Sequence, residues 1–508
     1  MNHPTSQAER MAVAESRAWT VLGAPLSWPW IGDGRTTVKF LRRDGEWTHY
    51  LMSRAGASCE FSVRVHQLGA TLHIAERTAP GLSWEVAGDS QSCELTWEAT
   101  HPLPEPLAAH WQQASGFGSA VEEWSRAVDA ASGHTEPLGA ASALMPLLHK
   151  RARDCASAFT LDAGVVAALR ECGLFRIGVP RALGGLDLHP ATIVKVIEQL
   201  SRADGATGWC TLIGNQSAYA GWLRPSSLGD LVASDGQLVL AGSTAVSGSA
   251  ERAGPGTYRV DGRWRFNSGC LHADWLMGGV TVPDDDGNLA PMLAFVPWTE
   301  ATVLGTWDVA GLAGTGSHDL VLTDVTVPAE RLAPLFSGRS NFADPLHRLS
   351  PYNIQGVLLA GHPLGVARRA LDELTALAAA GDAALPVREI EIDLARLETR
   401  LDAIRCQVLN TVDDYWEELG DKECLTARCE ARLALVLRHL VDTAKNIVER
   451  AVRLAGPAVT EPEQDVLRRC LRDIYATGQH LAFSDDVYER NARRFVGTNA
   501  ASVTEGGE

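Results

Sequence analysis

The stretch "RDIYATGQH" near the end of the chain sets Arg472 and Asp473 against His480. Read as a continuous helix, it puts Asp473 and His480, seven residues apart, on nearly the same face two turns on. Imidazole has an ordinary pKa near neutrality, so His480 could give or take a proton inside a buried site. The plain alternative is a half-exposed histidine on an amphipathic helix. Other polar groups of interest are Ser268, in a strand-end Ser-Gly turn of "WRFNSG", Ser243, 25 residues earlier in "LAGSTAVSG", and Thr315 and Ser317 in the glycine-rich "GLAGTGSHD". A Ser-Gly pair is a common turn, and a glycine-rich loop alone is a weak phosphate signal. The ten cysteines are scattered singly apart from Cys424 and Cys429, which have no matching pair. Neither zinc nor a disulfide framework is expected.

The elements that must position these groups follow from length and patterning. A chain of 508 residues exceeds one hydrophobic core, and its 45% hydrophobic and 21% charged content is that of a globular protein. A net charge of −17 argues against nucleic-acid or anionic-membrane partners, which need clustered Lys and Arg. No apolar run reaches the length of a membrane span, and the start "MNHPTSQAERMAVAES" lacks the apolar centre of a signal peptide, so a cytoplasmic protein is expected.

Residues 1–131 read as short alternating segments such as "CEFSVRVHQLGATLHIAERT", separated by Gly and Asp turns. One amphipathic helix closes this module, with Phe117, Val121, Trp124 and Val128 at helical spacing. Residues 137–237 are helical, 238–340 form a second β section, and 341–508 carry long helical patterns. The order is an α+β layout.

That order, with "ALRECGLFRIGVPRALGG", "SRADGATGW", "YRVDGRWRFNSGCLHADWLMGG", "WDVAGLAGTGSHDLVLTDVTVP" and "LGVARRALDEL", resembles the acyl-CoA dehydrogenase superfamily. The resemblance implies a helical domain, a β-barrel-like middle domain and a C-terminal four-helix bundle, in a homo-oligomer (tetramer or dimer). Two chemistries occur in the family. Dehydrogenases need a carboxylate base, and here the expected position holds Gln464, with Glu463 and Glu461 nearby. The family's Arg-x-x-Phe-Gly run is replaced by "ALAAAGDAALP". The other branch, the two-component flavin monooxygenases, is matched by the spacing of Asp473 and His480.

Membership of that branch implies reduced FAD or FMN delivered by a separate NAD(P)H:flavin reductase, with molecular oxygen as co-substrate. It implies hydroxylation of an aromatic or polycyclic small molecule through a flavin C4a-hydroperoxide, with His480 controlling a proton. Ser268 would reach flavin N5 and Phe266 would pack on the ring; a hydrogen bond there would slow loss of hydrogen peroxide. Ser243 matches a serine facing substrate or flavin, and Thr315 and Ser317 could approach a flavin. Asn215 and Trp209, in "WCTLIGNQSAYAGW", fall where a helix lines the substrate pocket, although Trp209 also suits a core. Asn215, Gln216 and Ser217 replace a histidine used by some phenol hydroxylases, which argues against simple phenol ortho-hydroxylation.

The first module resembles the helix-grip proteins of the Bet v 1-like and Aha1-like kind, although its first strand is not evident. Its histidines (His49, His66, His73, His101) are unclustered, and a binding or structural role is expected. The expected activity is therefore that of a reduced-flavin-dependent monooxygenase. The alternatives are an acyl thioester dehydrogenase using FAD and a ligand-binding protein without flavin affinity. N-hydroxylation of an amine is a variant of the first.

Overall fold

A computed structural model of the chain describes residues 6–11, 36–44, 47–54, 57–65, 69–74, 82–88, 93–99, 117–224, 228, 231, 238–284, 287–335, 338–380, 387–421, 425–460, 465–492 and 494. Glu461, Glu463, Gln464, Cys424 and most of the "ALAAAGDAALP" stretch lie outside the described residues. The side chains of His49, His66, His73 and His101 do so as well. The described chain divides into two compact units, residues 1–186 with 206–309 and 313–341, and residues 187–205 with 310–312 and 342–508. The fold class is α+β, as the patterning requires.

The first unit begins with β1 (Ser6–Met11), β2 (Thr36–Asp44), β3 (Trp47–Arg54), β4 (Ala57–Val65), β5 (Gly69–Ile74), β6 (Leu82–Gly88) and β7 (Cys93–Ala99). They pair antiparallel in the order β1-β7-β6-β5-β4-β3-β2. Strand β1 pairs with β7, which lies more than eighty residues on, as in Ser6 opposite Glu98. Helix α1 (Phe117–Ser132) buries Val121, Trp124 and Val128, the apolar stripe expected from spacing. The Trp124 indole N–H donates to Gly164 O at 2.6 Å, tying α1 to the next helices.

Helix α2 (Pro137–Ala158) starts with proline at its first turn, where no amide hydrogen is needed. Helix α3 (Ala163–Glu171) is capped by the Asp162 carboxylate, which accepts from Val165 N at 3.2 Å. Helix α4 (Pro190–Ala203) belongs to the second unit. Helix α5 (Gly205–Gly214), all but its first residue in the first unit, tightens into a three-residue-per-turn segment, Asn215–Trp222.

The β section contributes β8 (Leu240–Gly254), β9 (Thr257–Trp264), β10 (Trp275–Pro283), β11 (Leu289–Pro297), β12 (Thr302–Leu304), β13 (Asp319–Pro328) and β14 (Leu332–Pro334). Their order is β12-β13-β9-β8-β10-β11-β14, with β8 and β10 parallel. Strand β12 also pairs with β2, Val303 opposite Arg43 and Leu304 opposite Arg42, so the two β regions form one continuous sheet. The fully buried Trp264 at the end of β9 occupies space that a side chain at Gly248, Gly262 or Gly278 would fill, and its indole donates to Gly279 O at 2.9 Å.

In the second unit α4 packs against α6 (Pro351–Ala379) and α7 (Val387–Asp421), and α8 (Ala427–Ala455) packs against α6, α7, α9 (Asp465–Thr477) and α10 (Asp486–Ala492). Helix α8 follows the amphipathic rule, burying Leu433, Leu437, Leu440, Ala444, Ile447 and Ala451 along one face. A Cβ at Gly361 or Gly365 of α6 would collide with the carbonyls of Val194 and Glu198, so the α4 and α6 backbones approach closely only because those side chains are absent. Among the described residues no helix is long and apolar enough to cross a membrane.

Candidate active site

In the first unit, the turn after β9 is set by residues the sequence singled out. Phe266 adopts a left-handed φ of 64°, a conformation that costs a non-glycine residue free energy of roughly 1 kcal/mol or more. It remains 59% exposed, with the Arg265 guanidinium over its ring at 4.7 Å and the Trp307 ring at 6.2 Å, edge-on. Two residues later Ser268 is only 7% exposed. Asn267 holds the turn from beneath: its backbone N–H and Nδ2 donate to His318 O at 3.1 and 2.9 Å. Its Nδ2 also donates to Trp264 O at 2.8 Å.

Four of the expected residues meet here. The Trp209 indole N–H donates to Ser268 Oγ at 3.0 Å. Ser268 Oγ lies 2.7 Å from Ser317 Oγ, which lies 2.6 Å from Thr315 Oγ1. A hydroxyl carries one proton and two lone pairs, so a row of hydroxyls can reverse its direction of donation as a set. Because Trp209 fills one acceptor position on Ser268, the Ser268 proton can go to Ser317 or, with the row reversed, elsewhere. The glycine-rich loop therefore acts through its two hydroxyls, and left-handed Gly316 (φ 56°) supplies the bend between them.

The remaining residues expected in this unit are placed differently. Asn215 is fully buried; its Nδ2 donates to Leu174 O and Thr211 O at 2.8 and 2.9 Å, and its Oδ1 accepts from Gly178 N at 3.3 Å. Its amide is thus spent on backbone. Ser243 is half-buried near the start of β8, and its Oγ accepts from Ala245 N at 3.2 Å, leaving its hydroxyl proton to donate.

His480 lies in the second unit and departs from the helical expectation. Helix α9 ends at Thr477, and His480 begins a short turn, Leu481–Phe483, with Nδ1 accepting from Ala482 N at 3.2 Å. That bond leaves the proton of a neutral ring on Nε2. The ring packs edge-on to Phe483 at 6.1 Å, and burial pulls its pKa down to about 4, well below the neutral value that first suggested proton exchange. His480 is thus a neutral Nε2–H donor near pH 7.

Two further buried groups lie in the same unit: His362, which sequence reasoning missed, and Asp473, which it read only through its spacing to His480. His362, on α6, sits between Ser201 Oγ (3.0 Å from Nδ1) and Thr477 Oγ1 (2.9 Å from Nε2), and burial lowers its pKa to about 3. Asp473 is buried with Oδ1 accepting from Leu312 N at 2.6 Å, and burial raises its pKa to about 7. For His362 the only available signal was an apolar context around a polar residue, "LLAGHPLG", which does not name the partners.

Comparison with known proteins places these groups in a family. The acyl-CoA dehydrogenase N-terminal domain model matches residues 140–223 and the acyl-CoA dehydrogenase C-terminal domain model matches residues 357–485. Indole-3-acetate monooxygenase from Pseudomonas putida is 30% identical over 339 residues, covering 66% of this chain and 86% of that protein. The chain belongs to the flavin-dependent monooxygenases of the acyl-CoA dehydrogenase superfamily. The oxygenase component of the FADH(2)-dependent resorcinol hydroxylase from Rhizobium sp. (strain MTP-10005) is 36% identical over 204 residues, 39% of this chain and 49% of that one. XiaF from Streptomyces sp., solved with FADH2 and glycerol, shares the fold with a TM-score of 0.66 at 23% identity, over 75% of this chain and 97% of that one.

This flavoenzyme is an oxygenase component that uses reduced flavin and oxygen, and the dehydrogenase alternative is not favoured. The residues of the β9 turn fit such a ligand. An exposed aromatic face at Phe266 stands two residues from a nearly buried hydroxyl whose donor direction can reverse, a combination suited to a flat ring system with ring nitrogens.

Proposed function

We propose that the enzyme hydroxylates an aromatic or polycyclic small molecule, with Ser268 and His480 as its working polar residues. The observation that carries this reading is the hydroxyl row Thr315–Ser317–Ser268 anchored by the Trp209 indole. When bound, reduced flavin supplies two electrons and, with oxygen, the oxidising power of the reaction. Ser268, Thr315, Ser317 and Ser243 would hold that group, with Phe266 against its ring face.

Each residue has a physical task. Ser268 donates or accepts one hydrogen bond at a fixed place, because Trp209 and Ser317 hold its oxygen from two sides. Such fixed dipoles act without reorganising when charge changes beside them. His480, neutral at pH 7, orients its Nε2–H as a donor and leaves the protein uncharged at that point. Asn215 and Trp209 belong to the segment lining the substrate pocket, and the spent amide of Asn215 keeps that wall in shape.

The reading includes a separate NAD(P)H:flavin reductase as partner, since this chain shows no nicotinamide-binding pattern and its relatives include an oxygenase component. It also includes a homo-oligomer and a cytoplasmic site of action, the latter supported by ten scattered cysteines without a disulfide framework.

The test is anaerobic mixing of the purified protein with reduced FMN or FAD, followed by oxygen, under stopped-flow absorbance. A protein-dependent transient, distinct from reduced and oxidised flavin, is expected. Direct return to oxidised flavin at the rate seen without protein would overturn the proposal.

A further inference from the structure

The first module lies outside both family matches, yet its sheet is hydrogen-bonded to the sheet that carries the active-site turn. The junction is narrow: Arg42 and Arg43 of β2 opposite Leu304 and Val303 of β12. Beside that junction the Phe40 ring, 3% exposed, packs against the His318 ring with centroids 4.9 Å apart. His318 is itself 2% exposed and is a hub. Its carbonyl accepts two of the three hydrogen bonds that Asn267 donates, and its Nδ1 accepts from Trp307 N at 3.0 Å. His318 follows Ser317 directly, and Asn267 precedes Ser268. The two residues joined by the hydroxyl pair are thus each one position from a residue held at His318.

We infer that Phe40 is a positioning residue for the Ser268–Ser317 pair, so that the N-terminal sheet acts as the outer brace of the active-site turn. The link to the reaction rests on the proposed role of Ser268; the mechanical link does not. The physical cause is packing. A tightly packed interior transmits displacement, and a ring removed from one side of His318 leaves a void into which the loop 313–318 can relax. Hydroxyl pairs tolerate little relaxation, because a bond of normal length weakens steeply as distance and angle depart from optimum. The left-handed Phe266 on the other side of Asn267 adds strain that the surrounding contacts must hold in place.

The experiment compares wild type with Phe40→Ala and Phe40→Leu by amide hydrogen exchange of the flavin-free protein. Exchange in peptides spanning 264–270 and 313–318 is expected to rise by about tenfold or more in Phe40→Ala and by less in Phe40→Leu, while α8 is unchanged. In parallel, with reduced flavin and oxygen, peroxide release should rise in the same rank order. Unchanged exchange in those two peptides, or an equal rise across the molecule, overturns the brace. Should Phe40→Ala not fold, Phe40→Leu alone carries the same test. Loosened peptides without any change in peroxide release would overturn the link to the reaction. If Ser268→Ala is equally silent, the failure lies in the reading of Ser268; if Ser268→Ala releases peroxide, it lies with Phe40.

Discussion

Trp209 donates its indole N–H to Ser268 Oγ at 3.0 Å across 59 positions of sequence, joining a helix to the turn after a strand. A tryptophan read from sequence as pocket or core proves to be the group that fixes a serine. The polar partner of a buried indole is usually worth finding, because an unpaired donor there carries a desolvation cost.

Replacing either member should therefore uncouple oxygen use from product formation. Ser268→Ala removes the hydroxyl, and Trp209→Phe removes only its anchor. A hydrogen bond of about 1 kcal/mol corresponds to roughly a fivefold change, so peroxide released per oxygen consumed should rise by that order in Ser268→Ala and less in Trp209→Phe. Peroxide assayed against oxygen uptake checks this. Equal coupling in all three proteins would remove Ser268 from the site.

His480 bears on pH dependence. With its pKa pulled down to about 4, its protonation does not change between pH 6 and 8. His480→Ala should lower product yield while leaving the shape of the pH profile over that range as in wild type. An inflection near pH 6.5 present in wild type and lost in the variant would show that this histidine titrates there instead.

Asp473 gives a stability slope with a definite sign. Its folded pKa is raised to about 7 from 3.8, so between those values the folded state binds the extra proton and stability falls as pH rises. The slope contribution is up to about 1.4 kcal/mol per pH unit within that window. Asp473→Asn keeps an acceptor for Leu312 N and cannot ionise, so its melting temperature should fall less than that of wild type from pH 4 to 7. Parallel curves would show that Asp473 does not titrate in that window.

His362 acts in the opposite direction. Its folded pKa is lowered to about 3 from 6.5, so below pH 6.5 the unfolded chain binds the proton that the folded chain excludes, and stability falls as pH falls. His362→Gln should flatten the acid limb of the melting curve, at a fixed cost of about 1–3 kcal/mol from disturbed bonds to Ser201 and Thr477. Thermal denaturation from pH 7 to 4 measures both effects.

The close crossing of α4 and α6 offers a purely steric test. Gly361→Ala places a methyl group against the Val194 carbonyl, and overpacking of this kind costs roughly 1–3 kcal/mol. Urea unfolding of Gly361→Ala against a surface control should show a lower midpoint. An unchanged midpoint would mean that the two helices part without cost.

What the sequence determined by itself is what short-range pattern encodes. Alternation, helical spacing and punctuation by Gly and Pro produced the α+β order and the α1 stripe of Val121, Trp124 and Val128, because burying one face of an element requires that periodicity. Local motifs in order named the family, and they put Ser268, Thr315 and Ser317 among the candidates before their contacts were known. Tertiary structure decided the rest. Helix α9 stops at Thr477 and turns His480 aside, a boundary shift that periodicity locates poorly. Ser201, His362 and Thr477 lie far apart in sequence, and burial sets the charge state of His362 only once the bundle excludes water. The pairing of β2 with β12 and the contact of Phe40 with His318 carry no local signature, since an edge strand presents the same backbone donors and acceptors to any partner.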